Sequence, residues 1–139
     1  MGVNLKQLAD GGLGIEGKDL GNGNIILGTI NYNVPVAATA VLVYYSNRAT
    51  VIDDIEGRAF VAGTGGAATI SFYMAPSGTA PASGTLLHSG SFNMVGTIHT
   101  DQSLTLTTTQ VPAEYGVWAV FTGTATSAIG GVTVMGRYA

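Results

Sequence analysis

The sequence predicts an all-β protein, an antiparallel β-sandwich with a jelly-roll-like layout and an extended N-terminal arm. Three observations carry this expectation. Short runs rich in Val, Ile, Thr, Tyr and Phe recur from Asn24 onward between clusters of Gly, Pro, Ser and Asn, the punctuation of sandwiches and barrels. Several runs alternate apolar and polar residues with the period of two that turns one strand face to a core and the other to water. The chain is also 46% apolar and only 9% charged, with 21 glycines, where an ordinary soluble domain carries about 25% charge. A surface so poor in charge lacks what keeps monomers apart, so the composition predicts a chain that is covered by partners.

The 139 residues suit one compact domain, divided here into an arm, 1–23, and a sandwich, 24–139. The glycines of Gly11-Gly12-Leu13-Gly14-Ile15-Glu16-Gly17 and Gly21-Asn22-Gly23 break any helix that Leu5, Leu8 and Ala9 begin. The arm's apolar residues, Val3, Leu5, Leu8, Leu13, Ile15 and Leu20, are too spread out to form a core and are expected to dock on the domain or on a neighbouring chain, a partner surface being the obvious place. Its first residues lack a basic stretch, a long apolar run and a small-residue cleavage site, so no secretory leader is expected.

The strands follow in order. Ile25 to Tyr32 opens the sandwich and Ala40 to Ser46 follows. The near-apolar stretch Val34 to Tyr45 is about a dozen residues, short of the roughly 20 a membrane helix needs, and reads as buried strand. Val51 to Ile55 and Arg58 to Val61 are expected as two strands. Ala68 to Met74 alternates most clearly, with Ala68, Ile70, Phe72 and Met74 on one face and Thr69, Ser71 and Tyr73 on the other. Thr85 to Val95, broken at Ser89-Gly90, and Ser103 to Thr107 come next. Val117 to Thr122 is apolar on both faces, which suits a central strand or one whose outer face meets another subunit, and Trp118 is its candidate contact residue. Gly131 to Tyr138 closes the sandwich. Gly63 to Gly66 and Pro76 to Gly84 have turn chemistry.

Few residues suggest chemistry. With no cysteine, disulfides and thiolate metal sites are excluded. Lys6, Lys18, Arg48, Arg58 and Arg137 are scattered, and the net charge is -3, which argues against a nucleic-acid partner. Gly12 to Gly17 fits a G-x-G-x-x-G string but lacks the strand before it and the helix after it that a dinucleotide site requires. Asp53, Asp54 and Glu56 form the one carboxylate cluster, with Asp54 and Glu56 expected on one strand face and Asp53 on the other. They read as charges guarding a solvated strand edge, not as a metal site. Ile55-Glu56-Gly57-Arg58 matches a clotting-protease recognition string by coincidence. His88 and His99 have no motif partner, and no G-x-S-x-G elbow is present, so no catalytic residue, metal site or cofactor is assigned and an enzyme is not expected.

The Gly-rich apolar arm from Val3 to Gly23, the run Val51 to Ala62, the Ala67 to Met74 strand with its Pro/Gly/Ser loop and the closing stretch Gly131 to Ala139 together resemble the small β-sandwich virion proteins of tailed bacteriophages. The resemblance is strongest to capsid decoration, or cement, proteins and is one of layout. It implies a homotrimer made in the host cytoplasm, bound to the major capsid protein on the capsid exterior, and stabilising the mature head against packaged DNA, with no membrane partner. A phage tail, connector or fibre-base protein fits the same layout. A rival of another class is a carbohydrate-binding module built from Tyr115 and the loops Gly63 to Gly66 and Pro76 to Gly84.

Overall fold

A computed structural model describes residues 25–34 and 39–139, together with the backbone of 5–7, 13–15 and 18–19. Within the N-terminal segment three short strands pair antiparallel: β1 (Leu5–Gln7), β2 (Leu13–Ile15) and β3 (Lys18–Asp19). Leu5 stands opposite Ile15, Gln7 opposite Leu13, and Gly14 opposite Asp19. The segment expected as an extended arm therefore pairs with itself at these residues.

The body is a sandwich of two antiparallel sheets. One contains β5 (Ala40–Tyr45), β14 (Tyr115–Gly123) and β7 (Ala68–Pro76), with β8 (Thr85–Leu86) and β10 (Phe92–Asn93) one after the other along the far flank of β7. The other contains β4 (Ile25–Asn33), β15 (Ile129–Tyr138) and β6 (Thr50–Val61), with β11 (Gln102–Ser103) and β13 (Gln110–Val111) along the far flank of β6. A two-residue pair, β9 (His88–Ser89) with β12 (Thr105–Leu106), joins the crossing segments. The chain changes sheet from β4 to β5, to β6 and to β7, and again from β14 to β15. Long return strands β14 and β15 thus insert between earlier ones, which is the double Greek-key order of a jelly roll.

Alternation explains the core. Ile70, Phe72, Val117 and Ala119 from one sheet meet Ile52, Ile55, Val132 and Val134 from the other, and all are 1% exposed or less. Tyr32 packs edge-on against Phe92 with ring centres 5.9 Å apart. Burial of its hydroxyl pushes the Tyr32 pKa up to about 12. Each large apolar side chain buried this way contributes about 1.5–3 kcal/mol before entropy is counted.

The two strands expected from Val51 to Val61 are one strand of 12 residues, β6. Gly57 does not turn the chain; it faces the core, where a Cβ would lie 2.4 Å from the Gly131 carbonyl oxygen and 2.9 Å from both the Phe92 ring and Val132 Cα. It marks a close approach of strands, the other common meaning of a glycine in a strand. Register shifts between Ile129 and Gly130 and between Met135 and Gly136 bulge β6 at Phe60 and Asp53. Ile52 and Ile55, three residues apart, consequently both point inward. Asp53 sits in the bulge and accepts a hydrogen bond from the Arg137 guanidinium. The carboxylates do not guard an edge: β6 is paired to β15 on one flank and to β11 and β13 on the other.

Both open sides of the sandwich are closed by specific contacts. Where β4 passes β5, a Cβ on Gly28 would lie 2.3 Å from the Val43 carbonyl oxygen. On the opposite side the Gln102 amide bonds both backbone groups of Asn93, accepting from its N–H and donating to its carbonyl at 2.9 Å each. A side chain here does what a neighbouring strand would do, and ties β10 to β11.

Candidate functional site

The two outer faces of the sandwich differ. On the β5–β14–β7 sheet the register aligns Leu42, Trp118, Tyr73 and Leu86 in one row across four strands. At about 4.8 Å per strand the row is about 14 Å long. Leu42 is 47% and Leu86 37% exposed, while Trp118 and Tyr73 are half-buried. Trp118 lies down because Gly116 lets it: a Cβ at 116 would meet the indole Nε1 at 2.7 Å and Leu42 at 3.0 Å. Beside this row a recess of about 280 Å³ runs between Leu42, Tyr45, Trp118 and the loop 76–79. Glu114 at its end is held in the left-handed region (φ 68°) by its N–H bond to the Ser46 carbonyl, 2.9 Å, and accepts a hydrogen bond from the Tyr45 hydroxyl. That bond holds the Tyr45 proton and raises its pKa.

The face of the β4–β15–β6 sheet is polar at its centre. Two adjacent rows align there, Glu56 with Thr133 and Thr29, and Arg58 with Gly131 and Asn31. They floor a recess of about 380 Å³. Arg58 donates two hydrogen bonds to Asp101, one of them 3.2 Å from Nη2 to Oδ2, and the pair is half-exposed. The Asp101 carboxylate holds Arg58 above its ordinary pKa, and Arg58 in turn lowers that of Asp101. The Thr29 and Thr133 hydroxyls are 3.4 Å apart.

Of the residues expected to make contacts, Trp118 lies on the outer face of a central strand, with Val117 and Ala119 fully buried behind it. Leu5, Leu13 and Ile15 fall on β1 and β2, whereas Val3, Leu8 and Leu20 lie outside the described residues. The structure does not assemble the surface expected of a carbohydrate-binding module. Tyr115 is packed against the core, and the two loops flank opposite ends of the nine-residue strand β7, about 25 Å apart at the rise of a strand. The clotting-protease string lies inside β6 with Ile55 fully buried.

The histidines are not brought together with a nucleophile. His88 is 1% exposed, and its Nε2 accepts the Phe72 backbone N–H at 2.9 Å. Asp101, two residues after His99, is engaged by Arg58. Among the described residues no group of three or more His, Asp or Glu is placed to hold a metal, and no helix is long and apolar enough to cross a membrane. Comparison of the chain with family models, with curated proteins and with solved structures gives no match.

Sequence reasoning did not find the polar recess. Its signal is present as Thr29 and Asn31, or Glu56 and Arg58, at the spacing of one strand face. Their convergence depends on cross-strand register, which periodicity does not carry.

Proposed function

We propose that this chain is a structural virion protein of the capsid-decorating kind, a homotrimer that joins through the outer face of the β5–β14–β7 sheet and binds the major capsid protein through its N-terminal segment. The supporting observation is the apolar row Leu42, Trp118, Tyr73 and Leu86, left uncovered by any described residue on a chain with 9% charge. Apolar centres with polar rims are the anatomy of subunit contacts, and Trp is the residue most enriched at their energetic centres. Ser71 and Thr69 on β7 and Thr122 on β14 supply such a rim. A row of this width accounts for the middle of an interface, which needs about 800 Å² per partner to be stable. A decoration protein that binds the mature shell and not its precursor stabilises that state by mass action. The jelly roll suits the reading, because capsid proteins use it, although lectins do too.

Light scattering of the intact chain at several concentrations tests the assembly step. A trimer that persists on dilution and dissociates in Trp118→Ser is the expected result; a monomer at every concentration would overturn it. Purified phage heads lacking their decoration test the partner. The full chain is expected to bind them saturably and residues 24–139 alone to fail. Binding to tails or connectors in place of heads would move the protein to those structures.

A further inference from the structure

The polar recess on the opposite face contains a glycine that no backbone clash requires. Of the glycines on β15 and its partner strand β6, Gly57, Gly130 and Gly136 answer to crowding. A Cβ at Gly130 would lie 2.4 Å from the Arg58 carbonyl oxygen, one at Gly136 would lie 2.1 Å from the Val51 carbonyl oxygen, and one at Gly57 would strike the Gly131 carbonyl. At Gly131 the nearest atoms are the Asn31 side-chain oxygen at 3.1 Å, a tight contact relieved only if that side chain shifts, and the Ile30 carbonyl at an ordinary 3.5 Å. A glycine inside a strand costs about 0.5–1 kcal/mol relative to alanine, so a position where a Cβ would displace only a side chain forgoes stability. What its absence provides is the floor of the recess.

The walls are equally specific. Thr29 and Asn31 stand on one side of Gly131, and Glu56 and Arg58 on the other. The hydroxyls and the amide both donate and accept hydrogen bonds, Glu56 accepts, and Arg58 keeps N–H groups beyond the two that its bond to Asp101 uses. Asp101 fixes the guanidinium plane, so these donors are held in place before a ligand arrives. Phe60, 48% exposed, and Met135 supply apolar surface at the margin. Two carboxylates oppose one guanidinium here, which disfavours an anion. The sheet face presents no free backbone edge, because β15 is paired on both sides, so an extended peptide has no ladder to join.

We infer that this recess is a binding site for a neutral sugar, with vicinal hydroxyls bridged between Asn31 and Arg58, further hydroxyls meeting Thr29, Thr133 and Glu56, and an apolar sugar face against Phe60. Each sugar hydroxyl donates and accepts at once, which matches the mixed hydrogen-bonding sense of these rows. The recess is of the size that holds one or two sugar rings, near the lower end of the range for ligand pockets. Its openness to solvent implies millimolar affinity for a single ring, with useful strength arising when several copies engage one surface.

Amide NMR of the intact chain, titrated with glucose, galactose, mannose and N-acetylglucosamine and with glucuronic acid as the anionic probe, tests the inference. At least one neutral sugar is expected to shift the signals of Thr29, Asn31, Gly131 and Thr133 saturably while leaving the Trp118 indole N–H in place. Gly131→Val fills the floor with a residue that suits an outward strand position, and Asn31→Ala removes one wall. Each is expected to weaken binding at least about tenfold, with urea midpoints showing that both variants remain folded. Any of three results overturns the site: no shift at these residues with any neutral sugar, undiminished binding by a folded Gly131→Val, or shifts centred on Trp118. Tighter binding of glucuronic acid than of every neutral sugar overturns the ligand class.

Discussion

His88 performs a backbone task with a side chain, and removing it gives a decisive test of how the β5–β14–β7 sheet is held. β8 pairs with Tyr73 and Met74 of β7, and β10 pairs with Thr69 and Ile70. Between these two short strands the Phe72 carbonyl accepts from Leu87 N–H at 3.0 Å, and the Phe72 N–H has only the His88 Nε2 to bond, at 2.9 Å. The imidazole must therefore be neutral with its proton on Nδ1, which lies 3.4 Å from the Ser89 carbonyl. His88→Leu keeps the bulk and removes the acceptor, leaving a buried N–H unpaired at a cost of about 1–3 kcal/mol. His88→Ala adds a cavity and is expected to cost more, on the order of 3–5 kcal/mol. Burial also lowers the His88 pKa from its ordinary 6.5, against smaller opposing contributions from the Ser89 and Gly90 backbone.

A depressed histidine pKa means that the unfolded chain binds the proton more readily than the folded one. The stability His88 contributes is then complete above pH 6.5 and falls as pH drops from there through the lower folded value. One proton limits the slope to about 1.4 kcal/mol per pH unit. Urea unfolding from about pH 8 to about pH 5 measures it, with His99 and the carboxylates common to parent and variant. The gap between the parent and His88→Leu is expected to narrow on acidification. Parallel curves, or a His88→Leu as stable as the parent at neutral pH, would refute the assignment.

Two further predictions concern packing and charge. Gly57→Ala and Gly131→Ala alter glycines on adjacent paired strands with opposite expected outcomes. The first drives a Cβ into backbone at 2.4 Å and should cost about 3 kcal/mol or more, whereas the second displaces the Asn31 side chain and meets the Ile30 carbonyl at an ordinary 3.5 Å, and should fall within about 0.5 kcal/mol of the parent or above it. Urea midpoints of the two variants decide. The Arg137 and Asp53 pair at the bulge has side chains 44% and 18% exposed, so Asp53→Ala is expected to cost less than about 1 kcal/mol, with a loss that shrinks in high salt; a larger, salt-independent loss would mean that the carboxylate supports the bulge itself.

The fold class was legible because alternation along Ala68 to Met74 or Val132 to Val134 reports a half-buried strand whatever its neighbours are. Strand order was not legible, since a jelly roll is defined by pairs such as Val134 with Ile55 that lie far apart in the chain. Glycine caused the clearest error. Gly57 lies between the two strands expected from Val51 to Val61, and an isolated glycine in one sequence carries the same letter for a turn as for a close crossing of strands. The bulge at Asp53 escaped for a similar reason: an inserted residue shifts the period by one, and Ile52 with Ile55 then looks like a lapse in alternation. A strand apolar on both faces signals either a deep core or an outward apolar surface, and here Val117 and Ala119 are fully buried while Trp118 is half-buried on the outer face. The recess was missed because each of its walls is an ordinary polar residue on a half-exposed strand, and only register makes them neighbours.

The sandwich geometry links the two proposals without merging them. Its sheets present their outer faces in opposite directions, separated by two layers of backbone and a core about 10 Å thick. A trimer joined through the row containing Trp118 therefore turns the recess around Gly131 away from the shared contact. The two surfaces draw on no common residue, so additivity is expected between changes made in them. Trp118→Ser should dissociate the assembly and leave single-ring sugar binding unchanged, while Gly131→Val should abolish sugar binding and leave the mass in solution unchanged. Measuring both properties in both variants separates the readings. If Trp118→Ser also removes sugar binding from a folded monomer, the recess requires a neighbouring subunit, and the sheet assigned to assembly is the wrong one.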